Sequence, residues 1–287
     1  MKLYYYVHTG HRIGLDRFRR AATIIRALGD IDITLLTSDY RIASECRNFG
    51  IKRSIGVDVV RGIPLVAERG DKLIFDSAEH NPLLLDDMTK YFSTFIRISD
   101  DPDDTKHPDE FLINPYLQGE GICNGVAVDE SYFGEFEKSI ERAFFFGDDD
   151  YEEDLLKNTG MFEGLDFDLM LGFYYFFDYE DKLAPAFKRM YEFEEYDDVI
   201  KHAKVLVSAS PQAVLENLAA GGKPVFLQRP DYPRGSIPLF ESLNIPIVDG
   251  FDRKSLMEII GKINSYSYEK SPHATHELKS FIKTILI

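Results

Sequence analysis

Short apolar runs alternate with amphipathic segments along almost the whole chain, and few folds are compatible with that alternation. Runs such as Leu3–Val7 and Ile33–Thr37 are too short for helices and read as strands. The segment from about Leu15 to Leu28 gathers Ala21, Ile24, Ile25 and Leu28 on one stripe and reads as a helix. The pattern continues with a helix over about Ser38–Phe49, strand Lys72–Asp76, a helix near Leu83–Tyr91, and strands Thr94–Ile98 and Phe111–Asn114. The stretch Gln118–Gly125 holds three of the twenty glycines and fits a hinge or linker. The pattern then restarts with strands Arg142–Gly147, Leu169–Phe177, Met190–Phe193, Val205–Ser208, Pro224–Gln228 and Pro246–Val248. Helices are expected across Gln212–Ala220, Ile237–Leu243, Arg253–Ile263 and Thr275–Leu286. Strands separated by helices indicate βαβ units and mostly parallel sheets, so the expectation is an α/β protein of two Rossmann-like lobes facing a central cleft. The lobes are placed at residues 1–123 and 139–287, with a linker at 124–138.

A chain of 287 residues with 44% apolar content has enough material for two cores. No run approaches the roughly 18 apolar residues that a membrane span needs. The opening MKLYYYVHTGH lacks the apolar stretch and cleavage site of a secretory signal, which points to the cytoplasm. Cys46 and Cys123 have no metal-ligand spacing and read as buried thiols, and no metal or other cofactor is implied. A formal net charge of −16 opposes nucleic-acid binding, which needs a basic face to displace counterions. It also means that a small anionic ligand must be held by a local group of arginines or backbone N–H donors.

Ligands of open parallel sheets bind beyond the carboxyl ends of the strands, which draws attention to three loops. The first, HTGHRIGLDRFRR, joins the first strand to the first helix. Gly10 and Gly14 allow close backbone approach, Arg12, Arg17, Arg19 and Arg20 concentrate positive charge, and His8 and His11 titrate near neutrality. The same arginines also fit a solvated helix face. The second loop begins at Gly147, and GDDDYEED carries six acidic residues in eight. Carboxylates at a helix start complement its dipole, while consecutive ones diverge too much to enclose Mg²⁺. The third, SASPQAVLEN, has Ser210 as a helix cap and Pro211 at the first turn. Ser208, Ser210 and Gln212 offer donors for phosphate or sugar oxygens, and Glu216 lies one turn on, where it can accept from ribose hydroxyls. Helix capping alone also accounts for this serine pattern.

The succession IGLDRFRRAATIIRAL, KLIFDSAE, FIRISDDPDD, FLINPYLQG, FFFGDDDYEEDLLK and VIKHAKVLVSASPQAVLENLAAGGKPVFLQ resembles the UDP-sugar hydrolase of pseudaminic acid biosynthesis, within the GT-B nucleotide-sugar superfamily. The resemblance runs in order over nearly the whole chain. It implies metal-independent cleavage of a UDP-linked diacetamido sugar in surface or flagellar sugar biosynthesis, with UDP held by the second lobe and the sugar by the first. Carried onto this sequence, the nucleotide-binding positions are Gly14, Arg20, Gly147, Ser208, Ser210, Gln212 and Glu216.

Two positions depart from that family. Where it has Gly-x-Gly-His, with the histidine as catalytic base, this chain reads Gly14-Leu15-Asp16-Arg17. A guanidinium stays protonated and cannot replace the base, so His11 or Asp16 would take that role, with Arg17 and Arg20 stabilising the leaving phosphate. The family's Gly-Gly-x-Asp loop is Gly147-Asp148-Asp149-Asp150 here, and a carboxylate beside a diphosphate is repulsive. Two functions follow from the sequence: a UDP-sugar hydrolase or glycosyltransferase-like enzyme, or a catalytically altered binding or accessory protein with the same fold.

Overall fold

The computed structural model describes residues 1–176, 178–272 and 275–286. It forms two compact units, each built on one parallel sheet. The first comprises residues 1–10 and 17–127 together with the C-terminal helix Thr275–Leu286, and the second residues 11–16 and 128–272. The unit boundaries therefore differ from those expected. The C-terminal helix packs with the first unit, a tertiary pairing to which its own amphipathic pattern is blind. The glycine-rich segment expected as a linker contributes a strand to the first sheet.

Strands β1 (Leu3–Val7), β2 (Ile33–Thr37), β3 (Ser54–Gly56), β4 (Lys72–Asp76), β5 (Thr94–Ile98), β6 (Phe111–Ile113) and β7 (Ile122–Cys123) make the first sheet, in the order β3-β2-β1-β4-β5-β6-β7. Tyr5 and Tyr6 are fully buried although adjacent side chains on a strand point to opposite faces. Both faces of β1 are thus covered, as a parallel sheet between helical layers requires. On one face Tyr4, Tyr6, Leu36, Leu73, Phe75 and Phe95 share a core. The helices are α1 (Asp16–Ala27), α2 (Tyr40–Glu45) and α3 (Pro82–Tyr91). Helix α2 is shorter than its apolar pattern suggests. Asp39 caps its start by accepting from Arg41 N, and the chain turns out through Gly50 at φ +78°, with Ile51 N donating to Cys46 O.

The second sheet is formed by β8 (Ile140–Phe145), β9 (Asp168–Met170), β10 (Arg189–Tyr191), β11 (Ala203–Ser208), β12 (Lys223–Gln228) and β13 (Ile247–Asp249), in the order β10-β9-β8-β11-β12-β13. Its helices are α4 (Asp154–Lys157), α5 (Tyr179–Leu183), α6 (Tyr196–His202), α7 (Pro211–Ala219), α8 (Ile237–Ser242) and α9 (Arg253–Gly261). Phe144, Phe146, Phe162, Leu169, Val207 and Val225 lie in its core. The aromatic strand expected over 169–177 stops at Met170. At Gly172 a Cβ would lie 2.5 Å from Gly147 O, and Tyr174 N donates to Asp148 O at 2.8 Å, so the backbone turns across the loop after β8. Phe177, the far end of that expected strand, lies outside the described residues.

Counted within each unit the strand order is 3-2-1-4-5-6, with a seventh strand beyond the sixth in the first unit, the doubly wound order with a switch point between its first and fourth strands. Those points lie between β1 and β4 in one unit and between β8 and β11 in the other. Among the described residues no helix is long and apolar enough to cross a membrane.

Candidate functional site

At the first switch point, Val7 pairs with Asp76 at the carboxyl ends of β1 and β4. Asp76 is fully buried and accepts from Tyr5 Oη at 3.1 Å and from Arg20 Nε and Nη2 at 2.9 and 2.6 Å. Arg20 also donates to Asp100 at 2.5 Å. Burial opposes the Arg20 charge, but Asp100 and Asp76 outweigh it and raise its pKa. Burial, reinforced by Asp76, raises the Tyr5 hydroxyl well above its ordinary value. Arg20, expected to grip a phosphate, instead neutralises two carboxylates. Arg17, one helical turn earlier, has Nε 3.7 Å from Asp76. Beside them His8 Nδ1 lies 3.5 Å from Glu79 Oε2, which also accepts from Tyr6 Oη at 3.0 Å. Burial lowers the His8 pKa, with Glu79 working against the shift and Arg17 adding to it.

The second switch point is organised by carboxylates. Gly147, at φ +111°, carries the chain out of β8 into Asp148, Asp149 and Asp150, which are only 2%, 1% and 3% exposed. Asp150 accepts from Asp154 N at 2.8 Å, Leu155 N at 3.0 Å and Tyr179 Oη at 2.5 Å, so it holds the start of α4. Burial raises its pKa, partly offset by those donors. Asp149 takes His11 Nδ1 at 2.8 Å and Arg12 N at 2.9 Å. Arg229 donates Nη1 to Asp149 O at 2.8 Å and pairs with Asp231, its guanidinium lying over Phe146 and Tyr232. Nothing in the sequence around Arg229 signalled this position, because the contact spans eighty residues.

The serine loop lies after β11, next to β8 in the sheet. Ser208 Oγ accepts from Ser210 N at 3.0 Å, and Ser210 Oγ caps α7 by accepting from Ala213 N at 3.1 Å. The capping expectation is therefore met. The donors expected to be open are buried: Ser208, Ser210 and Gln212 are 0%, 2% and 6% exposed. One anion already faces them. Ser210 Oγ donates to Asp16 Oδ1 at 2.5 Å, and Gln212 N lies 3.4 Å from Asp16 Oδ2, which sets a carboxylate at the positive end of α7. Glu216 is buried with both oxygens engaged, by Gln212 Nε2 at 2.8 Å and Tyr196 Oη at 2.7 Å, so it is not open to a ribose. Gly14, at φ +76°, brings the backbone near Tyr232 Oη, 3.8 Å from where a Cβ would stand.

In the second unit His11 is engaged with Asp149 and Asp16 with Ser210; in the first, Arg17 lies beside Asp76. Two further titratable groups, His8 and Glu79, lie together in the first unit. The sequence marked His8 only as a residue able to titrate; Glu79 is far from it in the chain.

No protein-family profile matches the chain, and no curated protein matches its sequence. Its fold is similar to a candidate UDP-N-acetylglucosamine 2-epimerase from Listeria monocytogenes, with TM-score 0.68 and 12% identity over 99% of this chain and 96% of that one. UDP-GlcNAc 2-epimerase from Methanocaldococcus jannaschii, in complex with UDP-GlcNAc and UDP, aligns with TM-score 0.61 and 13% identity over 99% of both chains. MurG from Acinetobacter baumannii aligns with TM-score 0.55 and 12% identity over 99% of this chain and 100% of that one. Identities this low establish the fold, which is of the GT-B type with two Rossmann-like lobes.

Proposed function

We propose that the protein binds a UDP-linked amino sugar and acts on it as a nucleotide-sugar hydrolase or glycosyltransferase-like enzyme. The observation that carries this reading is that each unit places buried polar and charged side chains at the switch point of its sheet, where doubly wound folds take their ligands. The similarity in fold to enzymes solved with UDP-GlcNAc and UDP supports the choice of ligand. UDP is assigned to the second unit, to Gly14, Gly147, Ser208, Ser210 and Gln212, with its phosphates at the start of α7. Arg17, beside Asp76 in the first unit, is kept as a candidate catalytic cation. The finer reading, hydrolysis of a UDP-diacetamido sugar for surface or flagellar glycans in the cytoplasm, follows from the sequence resemblance.

A second reading, a binding or accessory protein without turnover, is favoured by one feature. The Asp16 carboxylate lies where the phosphate is assigned, and a ligand must displace it. Calorimetric titration with UDP at low and moderate salt tests both. Micromolar binding that weakens with salt, together with UDP release from UDP-GlcNAc or a related amino sugar, supports the enzyme. Binding without release supports the accessory protein, and no binding of any nucleotide removes both.

A further inference from the structure

The first sheet has a concave surface at the end away from its switch point. A cavity of about 650 Å³ lies by the amino-terminal ends of β1, β2 and β3, marked by Lys2, Thr34 and Ser54. The loop after α2 adds Arg47, Lys52 and Arg53 to its wall. Four cations therefore line the cavity and no carboxylate does, in a chain whose acidic residues outnumber its basic ones 49 to 33. Arg53 is matched by Asp32, but among the described residues Lys2, Arg47 and Lys52 have no carboxylate at ion-pair distance. An adjoining cavity of about 750 Å³ shares Lys2, Thr34 and Arg53 and differs in this respect: Asp30 and Asp32 line it and pair with Lys283 and Arg53. A concave surface lined by one sign of charge focuses its field and concentrates counter-ions, here anions in an otherwise acidic protein.

The chemistry of the wall narrows the kind of anion. Its serine hydroxyls already donate within the chain, Ser44 Oγ to Arg41 O at 2.6 Å and Ser54 Oγ to Ala43 O at 3.0 Å. Attraction therefore rests on ammonium and guanidinium groups, which favour a multiply charged oxyanion over a neutral polar molecule. Beneath them the buried Tyr4, Cys46 and Ile51 form a largely apolar floor, and the volume is that of a small-molecule site. We propose that this cavity binds a small organic molecule carrying two phosphate groups, with the phosphates held by Lys2, Arg47 and Lys52 and the carbon body against the floor. Each phosphate carries about −1.5 to −2 near neutral pH, so two of them match the three unpaired cations. The site belongs to the first unit alone and does not depend on the nucleotide-sugar reading.

The test is calorimetric titration of the full-length protein at low salt with fructose 1,6-bisphosphate as probe and citrate as a carboxylate control. Wild type is compared with Arg47→Gln, Lys52→Gln and the double variant. Both side chains are exposed and unpaired, so the variants should fold as wild type does, which thermal unfolding checks. Wild type is expected to bind one bisphosphate per chain with Kd below about 1 mM, and added salt should weaken it. Each single variant should lose about tenfold in affinity, and the double variant should show no saturation. Backbone NMR signals of Thr34, Cys46 and Ile51 should shift with the probe. Absence of saturation in wild type, an unchanged Kd in the double variant, or citrate binding as tightly as the bisphosphate overturns the proposal. UDP titration of the same samples reads the nucleotide site separately, so either reading can fail while the other stands.

Discussion

The two switch points share a topology and handle charge in opposite ways. In the first unit a single arginine, Arg20, joins two carboxylates from different strand ends, so its order depends on a buried ion pair. The second unit buries three consecutive aspartates and satisfies the two whose partners are described above largely with N–H and O–H groups: two backbone donors and a tyrosine for Asp150, an imidazole and a backbone donor for Asp149. An ion pair fails badly when one member is removed, because the other charge is left without compensation. A carboxylate held by backbone and hydroxyl donors, as Asp150 is, fails by increments, one hydrogen bond at a time. The same scaffold therefore supports a brittle cluster in one unit and a graded one in the other.

Arg20→Met should give the largest effect, about 3–5 kcal/mol of lost stability in urea unfolding, since the fully buried Asp76 keeps only the Tyr5 hydroxyl and the more distant Arg17. A loss below about 1 kcal/mol would mean that Asp76 takes up a proton or water enters, and the contrast between the units would disappear. Asp150→Ala is expected to cost about 1–3 kcal/mol by the same measurement, through lost capping of α4 and an orphaned Tyr179 hydroxyl. If Tyr179→Phe alone reproduces the whole of that loss, the backbone caps contribute nothing. Asp16→Asn should tighten UDP binding about tenfold in calorimetry, because it withdraws a full negative charge from the start of α7. Unchanged or weaker affinity would place the phosphate elsewhere.

The smallest effect concerns pH. The folded-state pKa of His8 lies below its unfolded value, so between the two the unfolded chain binds more protons. Stability from this residue is complete above the unfolded value of about 6.5 and falls as pH drops below it. Wild type should therefore lose stability faster than His8→Gln between pH 6.5 and 5, and parallel curves would show that the ring is not desolvated.

Elements were legible where periodicity was strong and local. β1, β2, β4 and β5 have the limits read from their apolar runs, and the cap at Ser210 follows from Ser-Pro before an apolar stripe. The aromatic run after β9 misled, because hydrophobicity marks burial and does not separate a strand from a loop folded over a strand end. For the candidate site, the loops were identifiable and their internal bonding was not. Arg20 looked like a phosphate ligand, and Ser210 and Gln212 looked open, until Asp76, Asp100 and Asp16 were found against them.

The sequence by itself determined the class of fold, the two sheets and the loops that end at their switch points, since those depend on patterns repeated within a few residues. Only the tertiary structure decided which charges are matched, that residues 11–16 and the C-terminal helix each belong to a unit remote from them in sequence, and that His8 meets Glu79. The reason is physical. Periodicity reports which face of an element is buried, whereas the proton affinity and availability of a side chain depend on groups brought to within a few ångströms by chain segments that share no local signal.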